Sequence, residues 1–224
     1  LKAHHKAQKV ESKKAANDEP KPRLYVIDFI GSMDAHEVES LREEVTAIIA
    51  IANPEKDKVL VRLESGGGVV HGYGLAASQL QRFKTAGIKL SVSIDKVAAS
   101  GGYLMAAVAN RILAAPFAVV GSIGVVAQIP NLHRWLKKHD VDVDVLTSGK
   151  YKRTLTLLGE NDEEGREKFL SELAETHALF KDFVKEHRPA LDLEKVSTGE
   201  TWYGRQAIDL KLVDELITSD QYLY

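Results

Sequence analysis

"KVLVRLESGGGVVHGYGLAASQLQRFKTAGIKLSVSID", Lys58 to Asp95, decides the fold. Its first eight residues read as a buried strand, rich in Val and Leu. Gly66, Gly67 and Gly68 then lead a turn into a helix, and Ile88 to Asp95 form another strand. A strand, a helix and a strand in that order imply a mostly parallel sheet covered by helices. Upstream, "RLYVIDFIGSM" is a strand ended by Gly31 and Ser32. In the stretch that follows, Val38, Leu41, Val45, Ile48 and Ile49 recur at helical spacing, with Asp34 placed to cap that helix. Downstream, a helix begins right after Ser100, and "RILAAPFAVVGSIGVVAQ" supplies strands and turns. The pattern then predicts a helix from about Asn131 to His139 and a strand over "VDVDVLTSG". A long amphipathic helix from Asp162 to His187 follows, built on Phe169, Leu173, Leu179, Phe180 and Val184. In the closing stretch Trp202 and Tyr203 pack an edge, and Leu210, Leu212 and Val213 belong to core or interface.

Composition narrows the function. Thirty Lys and Arg against 32 Asp and Glu leave a net charge of −2, so no global basic field speaks for nucleic acid. With no cysteine, thiolate catalysis, disulfides and Cys-based zinc sites are excluded. Ile112 to His133 carries no formal charge and is long enough to span a membrane, but Pro116, Gly121, Gly124 and Pro130 cut it into pieces suited to buried strands and turns. Residues 1–22 read as a charged, juxtamembrane-like linker without fold, attracted to acidic lipid or simply solvated. Residues 23–224 read as a single domain. The chain starts at Leu1, which suggests a portion of a longer one whose membrane anchor came before it.

Two stretches could carry chemistry. In "ESGGGVV" three glycines let backbone N–H groups approach a ligand, where they could bind an anion or simply make a tight turn. The lysine of a P-loop and the spacing of a dinucleotide fingerprint are both missing. In "KVAASGGYLMAA" one hydroxyl, Ser100, stands among alanines and glycines at the start of a helix. That place suits a helix cap, and equally a nucleophile whose developing charge faces the positive end of a helix dipole. Of eight histidines only His71, just past the glycines, could reach such a site, and no aspartate is marked for it. Lysine is the other base, provided a desolvated seat keeps it neutral, and "TSGKYKRT" offers Lys150 and Lys152.

The order of "SGGG", "AASGGY", "GSIGV", "SGKYK" and "GETWYGRQAIDLKLVDEL" resembles the signal peptide peptidase A family of serine peptidases, from about Arg23 to Leu216. The resemblance implies a ClpP/crotonase-like α/β fold of stacked strand-strand-helix units. It implies a Ser-Lys dyad with Ser100 as nucleophile and Lys152 as general base, and Ser122 orienting the lysine. Gly67 and the backbone at Gly101 would form the oxyanion hole. It also implies no metal and no cofactor, peptide and polypeptide substrates such as signal-peptide remnants, and a homo-oligomer with active sites near subunit interfaces, where a neighbour can supply the lysine. The implied location is the bacterial inner membrane, with the catalytic domain on its periplasmic side. Gly66 stands where the family turn usually carries proline, so the loop should be looser. Two other readings share the fold: an acyl-coenzyme A enzyme with a glycine-turn oxyanion hole, and a ring-forming membrane scaffold without activity.

Overall fold

A computed structural model of the protein describes residues 21–224, so the charged lead-in expected over 1–22 falls almost wholly outside the described residues. The first strand, β1, is Leu24–Ile30, followed by helix α1 at Val38–Ile51 and strand β2 at Lys58–Glu64. Helix α2 spans Val70–Thr85, β3 Lys89–Ile94, β4 Val97–Ala99 and helix α3 Gly101–Ala107. Strands β5 (Arg111–Ala114) and β6 (Val119–Gly121) precede a short helix α4 at His133–Lys137 and the long α5 at Glu163–His187. The chain closes with α6 (Leu193–Val196), β7 (Thr201–Tyr203), α7 (Gly204–Ala207), β8 (Glu215–Leu216) and α8 (Ser219–Leu223).

The strand-helix-strand order yields the expected parallel sheet. Five strands run β1-β2-β3-β5-β8, every neighbouring pair parallel. A smaller sheet has the order β4-β6-β7, with β4 parallel to β6 and β7 antiparallel to β6. The two sheets meet one residue beyond β2, where Ser65 bridges Ala98: Ser65 N–H donates to Val97 C=O at 2.9 Å and Ala99 N–H to Ser65 C=O at 3.0 Å. That junction carries the glycine turn to the end of β4, where Ser100 stands.

Apolar burial follows the periodicity. Val38, Leu41 and Val45 of α1 are buried, as are Tyr73, Ala76, Ala77, Leu80 and Phe83 of α2, and all seven residues of α3. They join Val59, Val61, Leu90, Val92 and Ile112 from the large sheet in one contiguous core that reaches Leu212 and Val213. The rejection of a membrane span over Ile112 to His133 agrees with its folding into β5, β6 and turns. Among the described residues no helix is long and apolar enough to cross a membrane.

Three expectations are corrected. Asp34 does not cap α1: the helix starts at Val38 with Glu37 before it, and Asp34 lies in a tight loop beside Ser32 and His36. The alternating "VDVDVLT" over 141–147 is not a paired strand; residues 142–147 make no backbone hydrogen bond among the described residues, and Leu146 is 92% exposed. Alternation prepares a strand, but only a neighbouring edge makes one. The long helix is capped by Asp162, which accepts the Gly165 N–H at 2.7 Å, yet its apolar face is only partly covered. Of the five residues predicted to bury it, Val184 is buried, Phe169, Leu173 and Phe180 are half-buried, and Leu179 is 71% exposed.

Candidate active site

The serine of "AASGGY" is held by backbone alone. Ser100 adopts φ 52° and ψ −121°, a conformation that residues with a Cβ avoid. Its N–H donates to Gly121 C=O at 2.8 Å and its C=O accepts Leu104 N–H at 3.0 Å. The side chain makes no capping hydrogen bond, although it stands at the N-cap of α3. The helix-cap reading therefore fails on geometry, and what is left is a strained strand-to-helix elbow that presents a hydroxyl. Such strain persists only where surrounding structure imposes it, and it clusters at functional sites.

The register of the small sheet brings the next candidate alongside. Ala99 pairs with Gly121, so Ser100 and Ser122 each lie one residue past the same rung. Ser122 also has a positive φ of 53°, and its N–H donates to Glu200 C=O at 2.6 Å. Its side chain makes no hydrogen bond among the described residues, which leaves the hydroxyl free to hold another group.

The glycine turn approaches from β2. Gly67 has φ +87°, and a methyl built on it would lie 2.7 Å from both Gly101 N and Ser100 Cβ, so only glycine allows this approach. The Gly101 N–H, first in α3, has no acceptor among the described residues, and neither does Gly68 N–H. Gly67 N–H has one inside the protein, Ser65 Oγ at 3.0 Å. Ser100, Ser122, Gly67 and Gly101 are thus gathered at one place by strand ends and a helix start, and together they can present a nucleophile beside fixed N–H dipoles.

Lys152 is not joined to them. It is exposed in a turn, its N–H donating to Gly149 C=O at 3.1 Å, and its side chain makes no hydrogen bond or ion pair among the described residues. Lys150 pairs with Glu164 and lies over the ring of Tyr151. His71 is exposed on the first turn of α2, and its side chain makes no hydrogen bond among the described residues. A second serine-histidine arrangement, unforeseen from the sequence, occupies the loop after β1. Ser32 Oγ lies 2.7 Å from Asp34 Oδ1 and 3.0 Å from His36 Nδ1, and Nδ1 is itself 3.1 Å from Asp34. Serine and acid share one ring nitrogen, while Glu37 faces the other at 3.3 Å. The bond with Asp34, then the charge of Glu37, raise the His36 pKa, and a ring with a carboxylate on each nitrogen is not placed as the serine's base.

Sequence reasoning also passed over Ser65 and Tyr73, which are buried beside the turn and hydrogen-bonded to each other at 2.5 Å. Their only signals were a serine directly before the glycines and a tyrosine between Gly72 and Gly74, both of which fit an ordinary core.

A mostly parallel α/β core and a second small sheet are those of a ClpP/crotonase-like fold, and they set a strained serine elbow against a glycine turn. Residues 82–223 match peptidase family S49, and residues 1–80 match the N-terminal part of that family; the chain belongs to peptidase family S49. It is 61% identical over 216 residues to the "Probable protease SohB" of Haemophilus influenzae, covering 96% of this chain and 61% of that protein. It is 60% identical over 202 residues to the protein of the same description from Buchnera aphidicola of Schlechtendalia chinensis, covering 90% and 66%. The chain therefore spans about three fifths to two thirds of the length of these relatives.

Proposed function

We propose that the chain is the catalytic part of a serine endopeptidase working through a Ser-Lys dyad. The observation that carries this is the backbone of Ser100, strained, uncapped and next to the Gly101 and Gly68 N–H groups, which lack an acceptor among the described residues. Ser100 Oγ attacks the peptide carbonyl carbon while its proton passes to neutral Lys152. The C–N bond then breaks, the lysine protonates the leaving amine, and water hydrolyses the ester by the same route in reverse. Ser122 orients the lysine, and the oxyanion is held by the Gly101 N–H and by the glycine turn at Gly67, where the Gly68 N–H is without an acceptor among the described residues and the Gly67 N–H is engaged by Ser65 Oγ. The chemistry calls for no metal or cofactor.

Lys152 reaches the serine in a homo-oligomer, delivered by or seated against a second copy. Support for this comes from the long stretch around it. Residues 142–147 make no backbone hydrogen bond among the described residues, Val126 is 90% exposed, and the long helix leaves an apolar stripe open. Burial at an interface also provides the desolvated seat that a lysine base needs. The substrates are signal-peptide remnants and other hydrophobic or misfolded polypeptides, met at the periplasmic side of the bacterial inner membrane, where an N-terminal anchor holds the domain.

The test is intact-mass labelling with a fluorophosphonate on the wild type, Ser100→Ala and Lys152→Ala. One adduct on the wild type and none on either variant is expected. Mixing the two inactive variants restores labelling if the lysine acts across an interface. An oligomeric, folded wild type that takes no adduct refutes the peptidase reading and favours the scaffold.

A further inference from the structure

Tyr73 lies behind the site in the first turn of α2, with its side chain fully buried. Its hydroxyl donates to Ser32 C=O at 2.7 Å, which commits the only phenol proton. Ser65 Oγ, 2.5 Å from the phenol oxygen, must then be the donor of that bond, and its lone pairs accept Gly67 N–H at 3.0 Å. The bonds therefore run one way, from Gly67 N–H to Ser65 O–H to Tyr73 O–H to the Ser32 carbonyl, so each polarises the next. Burial raises the phenol pKa, so the hydroxyl keeps its proton. The ring meanwhile backs the other flank of Ser100: a methyl on Gly101 would come within 2.4 Å of Tyr73 Cγ. One side chain thus touches the backbone of Gly101 and, through Ser65, anchors the peptide of Gly67.

We infer that Tyr73, acting through Ser65, is a positioning residue that holds the glycine turn against Gly101 and so sets the separation and aim of the N–H groups there that lack an acceptor among the described residues, those of Gly68 and Gly101, and with it the binding of the oxyanion. The inference rests on the serine-peptidase reading. Without the phenol oxygen, the Ser65 proton is left with Gly31 C=O, a long 3.5 Å away. Ser65 must shift to reach it, and the anchor of Gly67 shifts with it. An oxyanion exists in the transition state and not in bound substrate, so the loss falls on kcat rather than KM.

The experiment uses the full chain in its oligomeric form, a fluorogenic hydrophobic peptide and a peptide aldehyde, whose adduct with a serine carries the oxyanion. Rates are counted per site labelled by fluorophosphonate. Tyr73→Phe is expected to lower kcat roughly 10- to 100-fold, part of what complete loss of an oxyanion donor costs. It should weaken aldehyde binding by a similar factor, with KM within about 2-fold of wild type. Ser65→Ala should match it, the double variant should lose no more than either single one, and Ser65→Thr, which keeps the hydroxyl, should restore activity. A Tyr73→Phe protein with wild-type kcat and aldehyde affinity per labelled site overturns the inference. So does a loss confined to the labelled fraction, which marks a purely structural role. Should Tyr73→Phe not fold, the contrast between Ser65→Ala and Ser65→Thr decides alone, equal activities counting against the inference. A wild type that takes no label at all refutes the peptidase reading instead, so the two failures are distinguishable.

Discussion

Ser100→Gly should make the protein more stable while abolishing its chemistry. Ser100→Ala is the reference, because it also removes the hydroxyl but keeps a Cβ at φ 52° and ψ −121°. Both backbone hydrogen bonds of the residue, to Gly121 C=O and from Leu104 N–H, survive in either variant. What differs is strain: a residue with a Cβ in a sparsely populated region costs about 1–3 kcal/mol, which glycine largely escapes. Against that stands the greater freedom of glycine in the unfolded chain, about 0.5–1 kcal/mol. The balance is about 1 kcal/mol in favour of Ser100→Gly, or roughly 2–4 °C in melting temperature for a chain of this size. Thermal and urea unfolding of the two variants at one protein concentration would measure it, since oligomerisation makes both readouts concentration-dependent. A Ser100→Gly protein that melts at or below Ser100→Ala would show that the elbow is not strained, and the main support for a nucleophile at this position would go.

Three further outcomes follow from the geometry. Gly67→Ala places a methyl at φ +87° against Ser100 Cβ and backbone atoms that cannot yield, so it should cost about 2–5 kcal/mol and block fluorophosphonate labelling; Gly66→Ala, with nothing within 4 Å of its methyl, should leave labelling and melting temperature unchanged. Asp214→Asn breaks a two-pronged pair with the largely buried Arg188, at 2.7 and 2.9 Å, on an oxygen that also takes the Ile112 N–H; urea unfolding should show a loss of about 2–3 kcal/mol. In the loop after β1, hydrogen bonds from Ser32 and His36 lower the Asp34 pKa from 3.8 to about 2, while the His36 pKa is raised from 6.5, so their stabilisation is lost as pH falls through the lowered Asp34 value and as pH rises through the raised His36 value. Melting temperatures of wild type and His36→Gln should therefore converge as pH rises from 6 to 8, and a constant gap would contradict the ion pairing.

Much of this arrangement could be read from residue pattern because it depends on local rules. The apolar runs of "YVIDF", "KVLVRL" and "KLSVSI" are strands for the ordinary reason that Val, Ile and Leu fill a covered parallel sheet. The turn at Gly66 to Gly68 and the helix after Ser100 follow from backbone permissiveness and helical spacing. Three-residue strands such as Val97–Ala99 are too short to carry a period, so the pairing of Ala99 with Gly121 that sets Ser122 beside Ser100 was not legible. Nor was the hydrogen-bond chain from Gly67 to Ser32, which joins residues 8 and 41 apart through atoms that no local propensity governs.

Lys152 shows a different limit. Its surroundings obey local rules well: "VDVDVLT" alternates as a strand should, and the helix from Glu163 has its cap, acidic first turn and apolar stripe. Among the described residues each of these elements is left without a neighbour to cover it fully. Leu146 and Leu179 stay exposed, and the backbone of residues 142–147 makes no hydrogen bond among the described residues. On the proposed dyad, the lysine of such a segment meets Ser100 either across an interface or by movement of the segment within one chain. The two routes separate on dilution. Assembly in trans makes labelling per chain fall as the oligomer dissociates, whereas a segment closing within one chain keeps labelling constant at every concentration.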